Sequence, residues 1–499
     1  MKLQLFSGGT LFDGSGSTPV AGNVLVENGR IAAVGSGLSA PSGAEVVDCR
    51  GLAVAPGFVD LHSHSDLQVL DPNRREKVLQ GVTTEVVGNC GFSPYPGGER
   101  AEEVREFADG ILHGSGEWRY PAAADYFAAL ARKSGPVTVE SLVGHGSLRV
   151  SVCGAKQGPL ESSELDAVDG MLKDALSAGA AGFSTGLMYA PGSSAPFDEL
   201  VQLCKSVAAA GKLYATHMRS YSWQLLKSVE EQLALARATG CRLQISHLQA
   251  VGQKNWDKQR LALDAIDAAR REGVDVEFDI YPYQAGSTVL TQLLPQWALD
   301  GGTERLLARL ADAATRRQIA EEAEASLAQR WSDVFITSVT TPESREFVGL
   351  QLEEIGRKMG AQPIDAAIEL VIRERGGVNI VSFNQSEENL RELLTHPLCS
   401  VISDGFYVSG RPHPRLYGTF PFLLGEVVRE RKWMKLETAI HKITAQPAAR
   451  LGLNDRGTLA PGLRADITVF DPARIMSPAT YEDPHRDPAG VVAVYRASA

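Results

Sequence analysis

Two histidines one residue apart, His62 and His64, follow the apolar stretch GFVDL. Side chains two residues apart on an extended strand point to the same side, so both imidazoles can approach one ion. Five further residues of metal-ligand type end other apolar stretches; these are Cys90, His145, His217, His247 and Asp404. A single histidine after an apolar run is more often a packing residue than a ligand. The repetition of the pattern at so many strand ends predicts a metal centre.

The chemistry that such a centre supports is hydrolysis. A bound zinc ion lowers the pKa of a water molecule to about 7 and polarises a carbonyl group. Hydrolysis also needs a group that takes the water proton and returns it to the leaving group. Asp404, in VISDG, is the candidate for this general base and acid, although an Asp-Gly pair alone would indicate a turn. Cys90, in GNCG, is either a thiolate ligand or a small buried apolar residue.

Eight short apolar stretches are predicted to be the strands that position these residues. They are GFVDLHSH, TTEVVGNCG, PVTVESLVGHG, GAAGFSTGL, KLYATHMR, CRLQISHL, DVEFDIYPY and LCSVISDG. Amphipathic helices such as SSELDAVDGMLKDALSAG separate most of them. Eight alternating units predict an α/β fold, a (β/α)8 barrel of the TIM type, whose strand ends converge on one mouth.

The remaining segments predict two additions to the barrel, which itself covers 57–449. The chain ends, 1–56 and 450–499, contain short β-branched runs and predict one small β-sandwich domain. Within the first end, Asn28-Gly29 is typical of a type I′ hairpin turn. The segment at about 288–347 is too long for an ordinary loop, and its pattern predicts an inserted helical subdomain.

Composition excludes several classes of protein. Of 499 residues, 44% are hydrophobic and 22% charged, which is typical of a globular protein with a large core. The net charge of -11 makes nucleic acid an unfavourable partner. Because turn residues interrupt the N-terminal segment and no stretch reaches the roughly 20 apolar residues of a membrane span, we expect a cytoplasmic protein without a membrane partner. Six scattered cysteines predict free thiols, and the oligomeric state stays open.

The motifs of this chain resemble those of a known family. The matching stretches are PGFVDLHSHSD, GVTTEVVGNCGFS, GHGSLR, GFSTGLMYAPG, THMRS, ISHLQAVG, DIYPYQAGST, SDG, RPHPRLYGTFPFLLG, ITAQPAARLGL and GTLAPGLRADITVFDP. They resemble the N-acyl-D-amino-acid deacylases, or D-aminoacylases, of the metal-dependent amidohydrolase superfamily. The stretches cover nearly the whole chain in family order, so the resemblance implies hydrolysis of a small-molecule N-acyl substrate.

The resemblance also implies the metal ligands. One zinc ion would be held tightly by Cys90, His217 and His247. A second, weaker site would use His62, His64 and Asp404, with Cys90 as a bridge. Many relatives in the superfamily bridge two metals with a lysine on the fourth strand, but here that strand reads GAAGFSTGL and has no lysine. Cys90 is the available replacement, since a thiolate can lie between two ions.

For the substrate pocket the resemblance implies one arginine and several hydroxyl groups. Arg415, in RPHPRLYG, matches the arginine that pairs with the substrate α-carboxylate through two parallel hydrogen bonds. The hydroxyl donors would be Tyr189, Tyr281, Tyr283 and Ser287, each with ordinary packing as the alternative. His145 would touch the substrate or brace the mouth, and bracing is the favoured interpretation.

The sequence departs from the family at two places near the pocket. Gln249 stands where well-studied D-aminoacylases have a lysine, and Ser220 and Tyr221 stand where acidic residues are common. Loss of a charged hydrogen bond weakens carboxylate binding by about 1 kcal/mol. The resemblance implies an N-acyl-D-amino acid as the substrate, and the two departures leave as the alternative a related N-acyl compound whose carboxylate is masked or missing.

Two other functions fit the same residues. A cyclic-amide hydrolase of the dihydroorotase or hydantoinase kind shares the barrel and the histidines, but the missing fourth-strand lysine argues against it. A non-catalytic binding module on the same fold usually lacks metal ligands or the final aspartate. Here all of them are present.

Overall fold

The computed structural model describes residues 3–114, 118–132 and 135–497, and its centre is an eight-stranded parallel sheet. Each strand pairs with the next one along the chain, and the seventh pairs with the eighth across a long insertion. The eight barrel strands are Phe58–Asp60, Val82–Val87, Thr138–Gly144, Gly182–Gly186, Leu213–His217, Arg242–Ile245, Val276–Ile280 and Cys399–Val401. Seven of them lie within the predicted stretches, and Val82–Val87 begins one residue before its stretch TTEVVGNCG, so the barrel is confirmed.

Main-chain hydrogen bonds close the sheet between its first and eighth strands. The N–H of Asp404 donates to the carbonyl of His62 at 2.9 Å, and the N–H of His64 donates to the carbonyl of Gly405 at 2.9 Å. Ser63 and Gly405 form an isolated parallel bridge between these two bonds. The closure therefore lies just beyond the strand ends, where three of the candidate ligands are also located.

Helices surround the barrel because their apolar faces pack on the strands. They are Glu76–Leu79, Ala101–Ala108, Ala123–Arg132, His145–Cys153, Ser162–Ser177, Phe197–Ala209, Leu225–Thr239, Lys258–Arg271, Glu387–Thr395, Arg415–Phe422, the π-helical Leu423–Glu430, Leu436–Lys442 and Ala445–Leu451. Local sequence sets several of the ends. Glu161 and Glu164 form a capping box at the start of Ser162–Ser177, and Gly240 ends Leu225–Thr239 in the left-handed conformation, with φ of 69°.

Both chain ends contribute to a second sheet of seven strands. Its strands are Leu3–Leu11, Val20–Glu27, Arg30–Gly35, Glu45–Asp48, Ala53–Pro56, Ile467–Phe470 and Val491–Tyr495. Asn28 and Gly29 join the second and third of these with φ of 48° and 76°, which confirms the type I′ turn. The first strand pairs with Glu45–Asp48 through its first half and with Ala53–Pro56 through its second half. The two chain ends, predicted as a small β-sandwich, are therefore joined by hydrogen bonds into one branched sheet. This sheet has its own apolar core.

The chain between the seventh and eighth barrel strands forms a third unit, here called the insertion (285–383). It has four α-helices, which are Gly302–Ala311, Ala313–Ser326, Leu352–Met359 and Pro363–Arg373. It also has a three-stranded antiparallel sheet that the helical prediction for about 288–347 did not include; its strands are Ala285–Val289, Asn379–Phe383 and Val334–Ser338. An apolar core of its own lies between this sheet and the helices.

Among the described residues, no helix combines the length and the apolar character needed to span a membrane.

Candidate metal centre and active site

Residues from four of the barrel strand ends meet at one sulfur atom. Cys90 Sγ lies 3.3 Å from His62 Nε2 and 3.5 Å from His247 Nε2. The ligand atoms of these three residues all lie within 4.8 Å of one another. His217 lies beside them, with its ring centroid 4.6 Å from that of His247.

A second group of three shares His62 with the first. Asp404 Oδ1 lies 3.3 Å from His62 Nε2 and 3.3 Å from His64 Nε2. These atoms also fall within 4.8 Å of one another. All six predicted ligand residues thus lie at one place. The family resemblance implied that Cys90, His217 and His247 hold the first ion. In the structure the compact group around the sulfur consists of His62, Cys90 and His247. His217 Nε2 lies 3.4 Å from Met188 Sδ.

The main chain is strained at three of these residues. Cys90, His247 and Asp404 have φ of 54°, 33° and 47°, in the left-handed region that non-glycine residues rarely adopt. Hydrogen bonds hold the strained segments in place. The N–H of His247 donates to Asp279 Oδ1 at 2.7 Å, and the N–H of Asp404 donates to His62. Such conformations persist where the surroundings fix them, and they cluster at functional sites.

The ionisable groups of the cluster are buried and set one another's charge. Burial raises the pKa of the Cys90 thiol, but His62 and hydrogen bonds from His217 and His247 overcome this and hold it well below its usual value. Burial likewise raises the pKa of Asp404. Arg415, His62 and His64 lower it by more, so the pKa of this carboxyl lies well below its usual value. Against burial, Asp404 and Cys90 raise the pKa of His64 to about 9. The cluster therefore contains an anionic sulfur atom and an anionic carboxylate on buried side chains.

Asp279, on the seventh barrel strand, supports the cluster from behind and was missed in the sequence. Its Oδ1 lies 3.6 Å from His62 Nδ1, and its Oδ2 accepts a hydrogen bond from Gln244 Nε2 at 2.9 Å. A carboxylate that contacts the far nitrogen of a ligating histidine fixes the orientation of the ring. The signal was present as an acidic residue within the apolar run VEFDI, a position that is buried in a parallel barrel.

The donor set of the cluster fits zinc. It consists of a thiolate, several imidazoles and one carboxylate, which are the ligand types that zinc prefers. Within the described part of the chain, the buried Nδ1 atom of His217, whose Nε2 lies against Met188, has no hydrogen-bond partner. Unpartnered buried ring nitrogens are costly unless a ligand occupies them.

A cavity of about 900 Å³ opens above the cluster, between the barrel mouth and the insertion. Among the predicted substrate residues, five line this cavity; these are Tyr189, Gln249, Tyr281, Ser287 and Arg415. The insertion supplies much of the opposite wall through 292–297 and 325–329. The cavity also borders Arg219 and Lys254, two cations that the sequence analysis did not single out.

Two predicted substrate residues lie away from the cavity. The Tyr283 ring stacks on Phe422 with centroids 4.6 Å apart. The His145 Nε2 atom contacts Glu199 Oε1 at 2.8 Å, and Glu199 also pairs with Arg149. The barrel strand ends at Ile280, so strand alternation does not govern the two tyrosines that follow it: Tyr281 lies at the mouth, and Tyr283 lies in the packing behind it. His145 pairs with Glu199 on the helix Phe197–Ala209, outside the barrel strands.

Arg415 connects the substrate cavity to the metal cluster. Its Nη1 lies 2.9 Å from Asp404 Oδ2, and its guanidinium carbon lies 4.5 Å from the centre of the Tyr281 ring. Only 1% of the residue is exposed. Asp404 is therefore shared, with one carboxylate oxygen against two imidazoles and the other against a guanidinium.

The two departures from the family have structural consequences. Gln249 Oε1 accepts a hydrogen bond from the Tyr281 hydroxyl at 3.3 Å, so a neutral pair occupies this wall. The Tyr221 hydroxyl accepts from the N–H of Met218 and donates to the carbonyl of Ser246, both at 2.9 Å. Its ring packs against the rings of His217 and His247. Tyr221 therefore acts as a packing support for two candidate ligands.

Comparison with known proteins places the chain in a family. A family model described as "Amidohydrolase family" matches residues 45–497. The chain belongs to the amidohydrolase family. Among curated relatives of this amidohydrolase, an N-acyl-D-aspartate deacylase of Alcaligenes xylosoxydans xylosoxydans is 36% identical over 98% of this chain and 90% of the relative. A D-aminoacylase of the same organism is 35% identical over 98% of this chain and 92% of the relative.

A solved structure resembles the amidohydrolase over its whole length. It is the N-acyl-D-glutamate deacylase of Bordetella bronchiseptica, complexed with zinc and a phosphonate inhibitor that mimics the tetrahedral intermediate of the reaction. The TM-score is 0.86 at 35% identity, covering 100% of this chain and 96% of the other. These relationships confirm the predicted kinship with the N-acyl-D-amino-acid deacylases.

Proposed function

We propose that this amidohydrolase catalyses the zinc-dependent hydrolysis of the amide bond of N-acyl-D-amino acids or closely related N-acyl compounds. One observation carries the proposal. Asp404 lies with one oxygen against His62 and His64 and the other against Arg415, at the floor of a cavity large enough for such a substrate. The deacylase activities of the relatives support this assignment.

The ligands of the zinc would be Cys90 with His62, His217 and His247, and the second group of His62, His64 and Asp404 would offer a weaker site. When bound there, zinc supplies a water nucleophile at neutral pH and polarises the scissile carbonyl. Cys90 lies where it can serve both groups, since its sulfur is 3.3 Å from the His62 ring nitrogen that they share.

Asp404 would move the proton. Its carboxylate is ionised, because Arg415, His62 and His64 lower its pKa despite burial. It can therefore accept a proton from the attacking water and deliver it to the departing amine, which could not leave as an anion. The strained main chain at Asp404 and the hydrogen bond from its N–H to His62 fix the carboxylate for this transfer.

Arg415 would hold the α-carboxylate of the substrate. Among the described residues neither its Nε nor its Nη1 has a hydrogen-bond partner, although Nη1 lies 2.9 Å from Asp404 Oδ2, so the guanidinium retains donors for a carboxylate. Stacking on Tyr281 keeps the planar group in one orientation. Tyr281 and Gln249 form the neutral wall beside it, where a second cation would have bound the same carboxylate more tightly.

The test is a hydrolysis panel on protein whose metal content has been measured. The panel contains N-acetyl-D-amino acids, their L enantiomers and hydantoins, and release of amine or ring opening is recorded. We expect amine from the D compounds, loss of activity on chelation and its recovery with zinc. Ring opening without amine release would favour the cyclic-amide hydrolase, and zinc-loaded protein that is inactive on the whole panel would favour a binding module.

A further inference from the structure

His413 lies two residues before Arg415 and joins two walls of the cavity. Its Nδ1 faces the main-chain N–H of Arg415 at 3.0 Å, and its Nε2 faces the main-chain carbonyl of Ala285 at 2.9 Å. The residue is buried, with 4% exposed. One imidazole therefore makes two main-chain hydrogen bonds, one to the segment that carries the arginine and one to the insertion.

These two partners permit one chemical form of the ring. A carbonyl oxygen only accepts, so Nε2 must carry the hydrogen, and an N–H only donates, so Nδ1 must be bare. In a protonated ring Nδ1 would also carry a hydrogen. That hydrogen would face the hydrogen of the Arg415 N–H, so Nδ1 could not accept the bond. Burial and the charge of Arg415 hold the pKa of His413 well below its usual value, in agreement with a neutral ring.

The surroundings fix the ring in this position. The edges of Tyr283 and Tyr481 pack on it, with ring centroids 5.1 Å and 5.0 Å from that of His413. Ala285 begins the first strand of the insertion and pairs with Phe383. The next residues of that strand, 286–288, line the cavity. His413 thus couples the cavity wall of the insertion to the main chain of Arg415.

We infer that His413 is a positioning residue that holds Arg415 in register with the insertion and thereby sets the preference for substrates with a free carboxylate. The inference rests on the proposed function of the same site. The side chain of Arg415 approaches both Asp404 and the cavity, so a shift of its main chain alters the guanidinium at both. Loss of the Nδ1 acceptor should therefore weaken the preference for substrates with a free carboxylate, and it should have a smaller effect on the folding of the protein.

Two substitutions separate the two hydrogen bonds. His413→Asn places an oxygen acceptor near the position of Nδ1 and removes the donor at Nε2. His413→Gln places an amide donor near the position of Nε2 and removes the acceptor. His396→Gln is the matched control, because His396 Nδ1 also accepts from the N–H two residues later, Leu398, at 3.3 Å but on the outer helical layer.

The readout is kcat and KM for an N-acetyl-D-amino acid and for its C-terminal carboxamide. We expect His413→Gln to raise KM for the acid about tenfold and to leave the carboxamide nearly unchanged, since a charged hydrogen bond is weakened. His413→Asn and His396→Gln should keep the wild-type preference. The inference would be overturned if His413→Gln lost activity equally on the acid and the carboxamide. It would also be overturned if all variants kept the same preference for the acid.

A second measurement does not depend on catalysis. Selective 15N labelling of histidine in the zinc-loaded protein reports the tautomer of each ring, and His413→Asn identifies the signals of His413. The Nε2-protonated neutral form at neutral pH is expected, and the opposite tautomer or an imidazolium would overturn the inference. Wild-type protein without hydrolytic activity but with this tautomer would instead contradict the proposed function alone.

Discussion

At the scale of single residues, Asp404 has the most contacts that matter for chemistry. It contacts two imidazoles through one oxygen and a guanidinium through the other. A carboxylate in this position can serve as a ligand, a proton carrier and an anchor for Arg415. Removing its charge without changing its shape separates these roles from packing, since asparagine is nearly isosteric.

We predict that Asp404→Asn lowers kcat by about 10²- to 10⁴-fold, because proton transfer by a positioned side chain contributes this much. The metal group around Cys90 should still bind zinc. Steady-state kinetics with zinc quantification on the same samples tests this, with the exposed Asp264→Asn as a control. A variant that keeps full activity would show that another group carries the proton.

At the scale of elements, a buried ion pair holds the seam at which the barrel closes. Lys77, on the short helix Glu76–Leu79, donates to Asp60 Oδ2 at 2.5 Å and to Ser403 Oγ at 2.7 Å. Asp60 Oδ1 accepts the N–H of Ser403 at 3.0 Å, and Ser403 Oγ accepts the N–H of Gly405 at 3.1 Å. Both neighbours of Asp404 are therefore fixed by one buried cluster, whose residues come from the first strand, the short helix and the segment just after the eighth strand.

Lys77→Met should destabilise the protein by about 3–5 kcal/mol, because it leaves the carboxylate of Asp60 buried without a cation. The double variant Lys77→Met with Asp60→Asn should recover part of this loss, since no uncompensated charge remains. Urea unfolding of the single and double variants measures both effects. A Lys77→Met protein as stable as wild type would show that the seam does not depend on the pair.

Another buried carboxylate stabilises the insertion in a pH-dependent way. Burial raises the pKa of Glu374, but hydrogen bonds from Ser344, Thr340 and Thr341 lower it to about 2 from its ordinary value of 4.5. Because the folded pKa is depressed, the stabilisation is complete above 4.5 and is lost as the pH falls from 4.5 towards 2. The shift corresponds to about 3 kcal/mol at neutral pH.

Glu374→Gln should therefore lower the free energy of unfolding at neutral pH and lose most of this difference at about pH 3. The measurement is urea unfolding of wild type and variant at both pH values. Glu369→Gln, on the exposed side of the same helix, is the matched control. A difference that does not change with pH would mean that shape, and not the charge of Glu374, stabilises the insertion.

The sequence predicted the barrel strands, whose pattern is local. It missed the strands of the insertion, which pair with segments far away in the sequence. Each barrel strand is an apolar run between helices, so its period and neighbours identify it. The strands of the insertion pair across about 40 residues without a hairpin turn, as Val334–Ser338 does with Asn379–Phe383. No local signal marks such a pairing. The antiparallel sheet was therefore absent from a prediction based on the helical stretch LLARLADAATRRQIAEEAEASLAQRW.

At the scale of the whole molecule, the barrel brings together residues that are hundreds of positions apart in sequence. Residue types at strand ends predicted that the ligand candidates would meet, because the carboxyl ends of parallel strands converge. The same reasoning could not show that Tyr283 turns into the packing behind the mouth, that Asp279 supports His62, or that His413 joins Arg415 to the insertion. These features depend on side-chain contacts across the barrel mouth.

The most direct test of the account is diffraction from crystals of the zinc-loaded protein, recorded on both sides of the zinc absorption edge. We predict an anomalous peak within coordination distance of Cys90 Sγ and of the ring nitrogens around it, at about 2.0–2.3 Å. Zinc-loaded crystals with no peak there, or with zinc held only by other residues, would contradict the metal centre and the hydrolytic function that depends on it.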